Sequence, residues 1–228
     1  MRDHLFLLSG ILGLGALAMT VILAFIGPRQ TGPLPPGFMT PVLAFEFAET
    51  EAEVYRLFEP DGSADGMDRL NRWDFLYMAL YSSFLGTFAL AAGRRTGRAI
   101  FYVAAALALI VLYADALENV QLLGLTLQRE MDGGGLAAML ERLRFYTWLK
   151  WGGLALYSLL IGSYFRGLPG RWRAVGIVSF LPALLAVAAL FRRGLPNELM
   201  ALAIGILFLL LTVYALAAGR RGDGVKGV

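Results

Sequence analysis

Ionisable side chains stand within long apolar stretches of this chain. Asp115, Glu118 and Asn119 follow the i, i+3, i+4 spacing that places three side chains on one face of a helix. Lys150 lies within the next apolar stretch, and Asp74 lies near the start of the preceding one. A charge in hydrocarbon is costly and is retained where it is paired or lines a wet cavity. These five residues are therefore candidate ligand-binding residues.

Three tyrosines have helical spacings that place them beside these charges. Tyr77 and Tyr81 follow Asp74 at i+3 and i+7, and Tyr146 precedes Lys150 by one helical turn. A phenol hydroxyl both donates and accepts hydrogen bonds, so it suits a carboxylate as well as an ammonium group. We therefore include all three tyrosines in the candidate ligand-binding site. The alternative is the belt of aromatic side chains that lies at membrane interfaces.

The charges of this site favour a small cation. Asp74, Asp115 and Glu118 outnumber Lys150, so either negative charge is in excess or a carboxyl keeps its proton. The leading hypothesis is an outward-facing polar pocket that binds or transports a small cationic or amphiphilic ligand. A second hypothesis is a noncatalytic accessory or assembly subunit in which the charges only fix helix packing. A third is a metal-assisted lipid-modifying enzyme, since carboxylates bind hard cations such as Mg²⁺.

The composition excludes several other kinds of site. The chain has no cysteine and one histidine, His4, so neither a thiolate metal site nor a bis-histidine haem site fits one copy. No nucleophile-elbow, zincin or P-loop motif occurs. The sequence therefore favours a protein that is not an enzyme and that has no cofactor and no resident metal. The net charge of +3 is small, and no basic stripe suits nucleic acid.

The elements that position these residues are predicted to be membrane-spanning helices. Only 16% of the residues are charged, whereas a soluble domain has about 25%. A spanning helix needs roughly 20 apolar residues. The prediction is an all-α, polytopic membrane helical bundle, one integral membrane domain over residues 1–228. Its six transmembrane helices are expected at about residues 5–26, 70–92, 99–123, 144–165, 174–191 and 198–218. We expect Pro182 to kink the fifth of these helices.

The first apolar segment has two interpretations. Arg2 before an apolar run, and the small residues Ala16 and Ala18 with the spacing of a cleavage site, resemble a cleaved signal peptide. The run continues to Ile26, which is longer than a typical signal core and favours a retained helix. Small residues share one face of this helix, where another helix can pack closely: Ser9, Gly13, Ala16 and Thr20.

The first connection, residues 27–69, is acidic and is predicted to lie outside the cell. Its proline-rich opening favours extended chain as far as Pro41. Thr50 and Glu53 have the spacing of a capping box, which predicts a short amphipathic helix on the outer mouth of the bundle or on the membrane. Residues 61–66 are expected to form a flexible loop after it, and residues 132–135 another in the third connection.

Basic residues predict the orientation. They lie in the second and fourth connections and in the tail, and the positive-inside rule places these in the cytoplasm. The residues are Arg94, Arg95, Arg98, Arg166, Arg171, Arg173, Arg220, Arg221 and Lys226. We therefore expect a multi-pass protein of the cell membrane with both termini cytoplasmic, although Arg192 and Arg193 oppose this orientation. Expected partners are the lipid bilayer, a small cationic or lipid-like ligand, and a second copy or another membrane subunit.

Overall fold

Helices make up nearly all of the described chain. The computed structural model describes residues 3–131 and 135–220, of which 82% are helical, and these residues contain no strand. The all-helical prediction is therefore confirmed for the described residues. The helices are α1 (His4–Ile26), α2 (Pro41–Glu46), α3 (Glu51–Leu57), α4 (Ser63–Thr96), α5 (Ile100–Glu130), α6 (Leu136–Arg166), α7 (Trp172–Val178), α8 (Leu181–Phe191) and α9 (Leu195–Arg220).

Within the described residues, five helical segments are long and apolar enough to cross a membrane. They are α1, α4, α5, the stretch Trp172–Phe191 that α7 and α8 form together, and α9. Large apolar side chains on these segments are exposed, such as Phe25, Leu109 and Phe191, the last at 86%. In water so many exposed apolar side chains would be a liability, whereas lipid solvates them. The described chain is therefore a helical protein suited to membrane insertion.

The predicted fourth span is helical but is not among those five segments. It corresponds to α6, which is continuous from Leu136 to Arg166. Lys150, with its tryptophan and glycine neighbours, makes the middle of α6 less apolar than the middle of the other long helices. The predicted helix itself is present, over 31 residues.

Consecutive long helices pack against each other, and α1 lies between α4 and α9. Ser9 donates a hydrogen bond from its hydroxyl to the carbonyl of Phe84 at 3.2 Å. A Cβ atom built on Gly13 would collide with Thr212 of α9, so glycine is what permits this close approach. The small-residue face predicted for the first helix is thus the face that α4 and α9 contact.

Several helices extend beyond the predicted apolar segments. α5 ends at Glu130 and α6 begins at Leu136, because polar residues continue a helix past the apolar stretch that marks its span. α4 begins at Ser63, so the loop predicted at residues 61–66 is wrong for its last four residues. Gly66 lies in the first turn, where a Cβ atom would be 2.8 Å from Cα of Pro28. Glycine there lets the proline-rich opening cross the helix.

Pro182 lies at a break between two helices rather than at a kink within one. α7 ends at Val178, and α8 begins at Leu181 with Pro182 in its first turn. The first turn of a helix has N–H groups without partners, so a residue that lacks an N–H is tolerated there. The same proline in mid-helix would have removed a backbone hydrogen bond.

The first connection folds onto the bundle. Residues 27–40 contain no helix, as predicted, but α2 was not predicted. α3 begins after Thr50, whose hydroxyl accepts the Glu53 N–H at 3.2 Å. The Glu53 carboxylate accepts the N–H of Glu49 at 2.8 Å. Buried side chains of α2 and α3, such as Phe45 and Val54, join a core cluster with residues of α4, α5 and α6.

Some predictions fall on residues outside the described part of the chain. The predicted flexible loop at residues 132–135 is described only at Gly135, which precedes α6 with a φ of +76°. Arg2, Arg221 and Lys226 also lie outside the described residues.

Candidate functional site

Lys150 lies at the centre of a buried group of charges. Its side-chain nitrogen is 3.1 Å from Oε1 of Glu46 and 3.2 Å from Oδ1 of Asp115, and it also contacts Oε2 of Glu118. Lys150 is 5% exposed, Asp115 2% and Glu118 0%. We call these four residues the Lys150 cluster. Both acidic residues predicted to share one face of the third span thus contact the same ammonium group.

Glu46 is the member of the cluster that the sequence analysis missed. It ends α2, and three groups of α6 hold it. The Thr147 hydroxyl donates to its carbonyl at 3.1 Å, and Trp151 Nε1 donates to its Oε2 at 2.9 Å. Lys150 is the third. Burial raises the pKa of the Glu46 carboxyl, and the attraction of Lys150 offsets this only in part. Its position between two phenylalanines, within an otherwise apolar run, was the available sequence signal.

Two further hydrogen bonds extend the polar group toward α4. The Tyr81 hydroxyl donates to Oδ2 of Asp115 at 2.5 Å. Asn119 donates from Nδ2 to Oδ2 of Asp74 at 2.7 Å. Asn119 follows Glu118 directly on α5, so both bonds lie at the α4–α5 interface beside the cluster. Six of the eight predicted site residues thus form hydrogen bonds or ion pairs with one another.

The other two predicted residues, Tyr77 and Tyr146, have no described hydrogen bond to these six. Tyr77 still lies beside the site, because its ring packs against that of Tyr81 with ring centres 5.1 Å apart. The Tyr77 hydroxyl accepts a hydrogen bond from the Thr20 hydroxyl at 3.3 Å, between α4 and α1. Tyr146 is half-buried and packs against the ring of Phe145, and no described hydrogen bond joins it to the Lys150 cluster.

Negative charge exceeds positive charge within the cluster. Three carboxyl groups surround one ammonium group. Among the described residues, Oε1 of Glu118 has no hydrogen-bond partner although it is fully buried. Ionising all three carboxyls in such a place would leave buried negative charge without compensation, which is strongly unfavourable. The cluster therefore contains more carboxyl groups than the charge of Lys150 alone can neutralise.

The donor set is not arranged as a metal centre in the part of the chain that the structure describes. No group of three or more histidine, aspartate or glutamate residues there has the geometry to hold a metal ion. The carboxylates converge on Lys150 instead. The arrangement is that of a buried acid group around a fixed ammonium.

Two attachments hold the first connection over this end of the bundle. Arg193, between α8 and α9, donates from Nη1 to the carbonyl of Phe47 at 2.8 Å and to Oε2 of Glu53 at 3.0 Å. Glu198 of α9 accepts the N–H groups of Met39 and Thr40 at 2.9 and 2.8 Å. Arg193, which opposed the predicted orientation, is therefore neutralised by the acidic connection.

The ion pair also changes the acidity of Glu53. Partial burial by itself would raise the pKa of this carboxyl, but its bonds to Arg193 and to the Glu49 N–H bring the pKa below its ordinary value.

Comparison with known proteins gives no further guide to the site, since no family model, curated protein or solved structure matches this chain.

Proposed function

We propose that this chain is a multi-pass membrane protein with six transmembrane helices, α6 being the additional span. At 31 residues α6 is about 46 Å long, whereas the hydrocarbon of a bilayer is roughly 30 Å thick. Near its start, Ala137 donates its N–H to Glu51 of the first connection at 3.0 Å. Near its end, the Tyr164 hydroxyl accepts a hydrogen bond from Arg95 at 3.3 Å. These contacts support a helix that runs from one end of the bundle to the other.

We also propose the orientation that the arginines predict. The described arginines of the second and fourth connections lie at the end of the bundle opposite the first connection, where α4 and α6 end and α5 and α7 begin. The positive-inside rule assigns that end to the cytoplasm. The first connection and the Lys150 cluster then lie toward the outside of the cell membrane, with both termini cytoplasmic.

Within this frame the Lys150 cluster is a cation-binding site whose first ligand is a proton. The observation that carries this proposal is the contact of three carboxyl groups with one buried ammonium. One carboxylate would satisfy a packing ion pair, so the other two provide capacity to bind positive charge. With its residues buried, the cluster is reached most easily by the smallest cation. A larger cationic or amphiphilic ligand requires α2 to move away from Lys150.

The experiment is infrared difference spectroscopy of the purified protein in lipid nanodiscs between acidic and alkaline pH. A protonated buried carboxyl gives a C=O stretching band that disappears on ionisation. We expect such a band in the wild type and its loss or shift in Glu118→Gln and in Glu46→Gln. The control is Glu141→Gln, since Glu141 is an exposed carboxylate on α6. Identical titrations of the wild type and both cluster variants would contradict the proposal.

A second candidate function is a noncatalytic membrane subunit in which the cluster serves assembly. The observation that favours it is the attachment of α2 to α6 through the contacts of Glu46 with Lys150, Trp151 and Thr147. An interhelical contact of this kind contributes only about 1 kcal/mol in a membrane, and several together fix a unique packing. This function predicts that no carboxyl of the cluster titrates in the infrared experiment while the folded protein is stable.

A further inference from the structure

A second polar group lies at the opposite end of the bundle and is independent of the Lys150 cluster. Arg95, in the last turn of α4, donates from Nη1 to the hydroxyls of Tyr164 at 3.3 Å and Tyr214 at 3.2 Å. The two hydroxyl oxygens are 2.6 Å apart. Arg95 also lies over the ring of Phe6, 5.3 Å from its centre. The tyrosines are buried, while Arg95 is exposed.

This group has more hydrogen-bond donors than acceptors. Two hydroxyls carry two hydrogens, and the contact between Tyr164 and Tyr214 uses only one of them. A guanidinium has five N–H donors, and the tyrosines engage Nη1 alone. No described carboxylate forms an ion pair with Arg95. Asp3, the one acidic residue described at this end, accepts the Phe6 N–H at the start of α1 and attracts Arg95 electrostatically without forming an ion pair with it. The remaining donors suit an anion from outside the chain.

The surroundings indicate which anion. Arginines dominate this end of the described chain: Arg94, Arg95, Arg98, Arg166, Arg171, Arg173 and Arg220. The cytoplasmic leaflet is the one that carries anionic lipids. Tyr164 and Tyr214 lie in the last two turns of α6 and α9, and α9 also exposes apolar side chains such as Leu209 and Val213 on other faces. A ligand that joins a phosphate group to hydrocarbon chains would match both the donors and the apolar helix surface.

We propose that Arg95, Tyr164 and Tyr214 form a binding site for the phosphate of an anionic phospholipid headgroup. Arg95 supplies a planar, charged donor fork, which matches phosphate oxygens. The spare tyrosine hydroxyl hydrogen adds a neutral donor beside it. Phe6 and the ring of Trp172, 4.9 Å from that of Tyr214, support the side chains of the site.

The test is native mass spectrometry of the full chain with phosphatidylglycerol and with phosphatidylcholine. We expect the wild type to prefer phosphatidylglycerol. Arg95→Gln should weaken that preference about tenfold, which corresponds to losing a charge-assisted hydrogen bond. The double variant Tyr164→Phe with Tyr214→Phe retains the arginine and should weaken it by a smaller factor. Arg94→Gln is the matched control, because it removes the same charge from the same turn without touching the tyrosines.

Three results would overturn the proposal. Equal losses in Arg94→Gln and Arg95→Gln would show a diffuse attraction to charge rather than a built site. An unchanged preference in the double phenylalanine variant would exclude the hydroxyls from it. Displacement of phosphatidylglycerol by millimolar inorganic phosphate would assign the site to the free ion. The double phenylalanine variant retains both aromatic rings, so lipid preference can still be measured in it if Arg95→Gln does not fold.

Discussion

Lys150 is held by more partners than a helix-packing ion pair requires. Its ammonium group contacts carboxylates from α2 and α5, and Tyr81 and Trp151 bind the outer oxygens of two of them. Each substitution in the cluster therefore changes the environment of several buried groups together. Energies of such coupled groups do not add, and the order in which charges are removed matters.

We predict that Lys150→Met destabilises the protein more than any single carboxyl substitution in the cluster. It leaves three buried carboxyls without their cation, and removing one partner of a buried pair costs about 3–5 kcal/mol. The measurement is the free energy of unfolding in lipid or mild detergent. Arg142→Gln is the control, because Arg142 is an exposed cation on the same helix.

Adding Glu118→Gln to Lys150→Met should recover only part of this stability. Glu46 and Asp115 still lack their cation in the double variant, so recovery needs all three carboxyls to be neutralised. Full recovery in the double variant would mean that Lys150 and Glu118 form an isolated pair. Equal free energies of unfolding for Lys150→Met and Arg142→Gln would show that the Lys150 ammonium does not stabilise the fold.

At the scale of elements, the sequence predicted the apolar helices that a bilayer requires. It missed the helix ends and the short helix α2, which depend on tertiary contacts. A bilayer demands long apolar runs, so all six apolar segments correspond to helical regions. The ends of α4, α5 and α6 lie in polar sequence, where hydropathy carries no information about helix length. α2 is a short helix that begins with a proline and is held in place by contacts with α6, so periodicity could not reveal it.

The candidate site shows the same division. Asp115, Glu118 and Asn119 were predictable because one turn of helix fixes their common face. Glu46 was not, because its contact with Lys150 joins segments far apart in sequence. Helical spacing alone placed Tyr146 near Lys150, but spacing does not give the direction of a side chain.

We predict that Arg193→Gln loosens the first connection without altering the long helices. The substitution removes the ion pair with Glu53 and the hydrogen bond to the Phe47 carbonyl. Both groups are partly exposed, so the loss of stability should be about 1 kcal/mol or less. Hydrogen–deuterium exchange should show faster exchange in α3 and unchanged exchange in α9.

Arg192→Gln is the matched control for this experiment. Arg192 is the exposed neighbour of Arg193, and the structure gives it no bond to Glu53. Equal effects of the two variants would show that the charge of the connection, rather than the specific ion pair, holds α3 in place.

For the whole molecule, the position of α6 decides the topology. If both α5 and α6 cross the membrane, the connection before α5 and the connection after α6 lie on the same face, and the connection between the two helices lies on the opposite face. The native chain has no cysteine, so single cysteines report accessibility without background. Asp61, Ala99 and Pro169 are exposed positions in three different connections.

We predict that Asp61→Cys reacts with a membrane-impermeant maleimide in intact cells. Ala99→Cys and Pro169→Cys should react only after the membrane is opened, because six spans place both on the cytoplasmic face. Labelling of all three after permeabilisation is the internal control. Opposite accessibility of Ala99→Cys and Pro169→Cys would remove α6 from the set of spans.

The contact between Glu46 and Lys150 also bears on biogenesis. If the helices enter a membrane in chain order, Asp115 and Glu118 of α5 arrive before Lys150 of α6, which is their counter-charge. Glu46 precedes all three in the chain and lacks its ammonium partner until the same step. Correct integration of the fourth apolar segment therefore completes the assembly of the earlier ones, and a chain truncated before it should be degraded rather than accumulate.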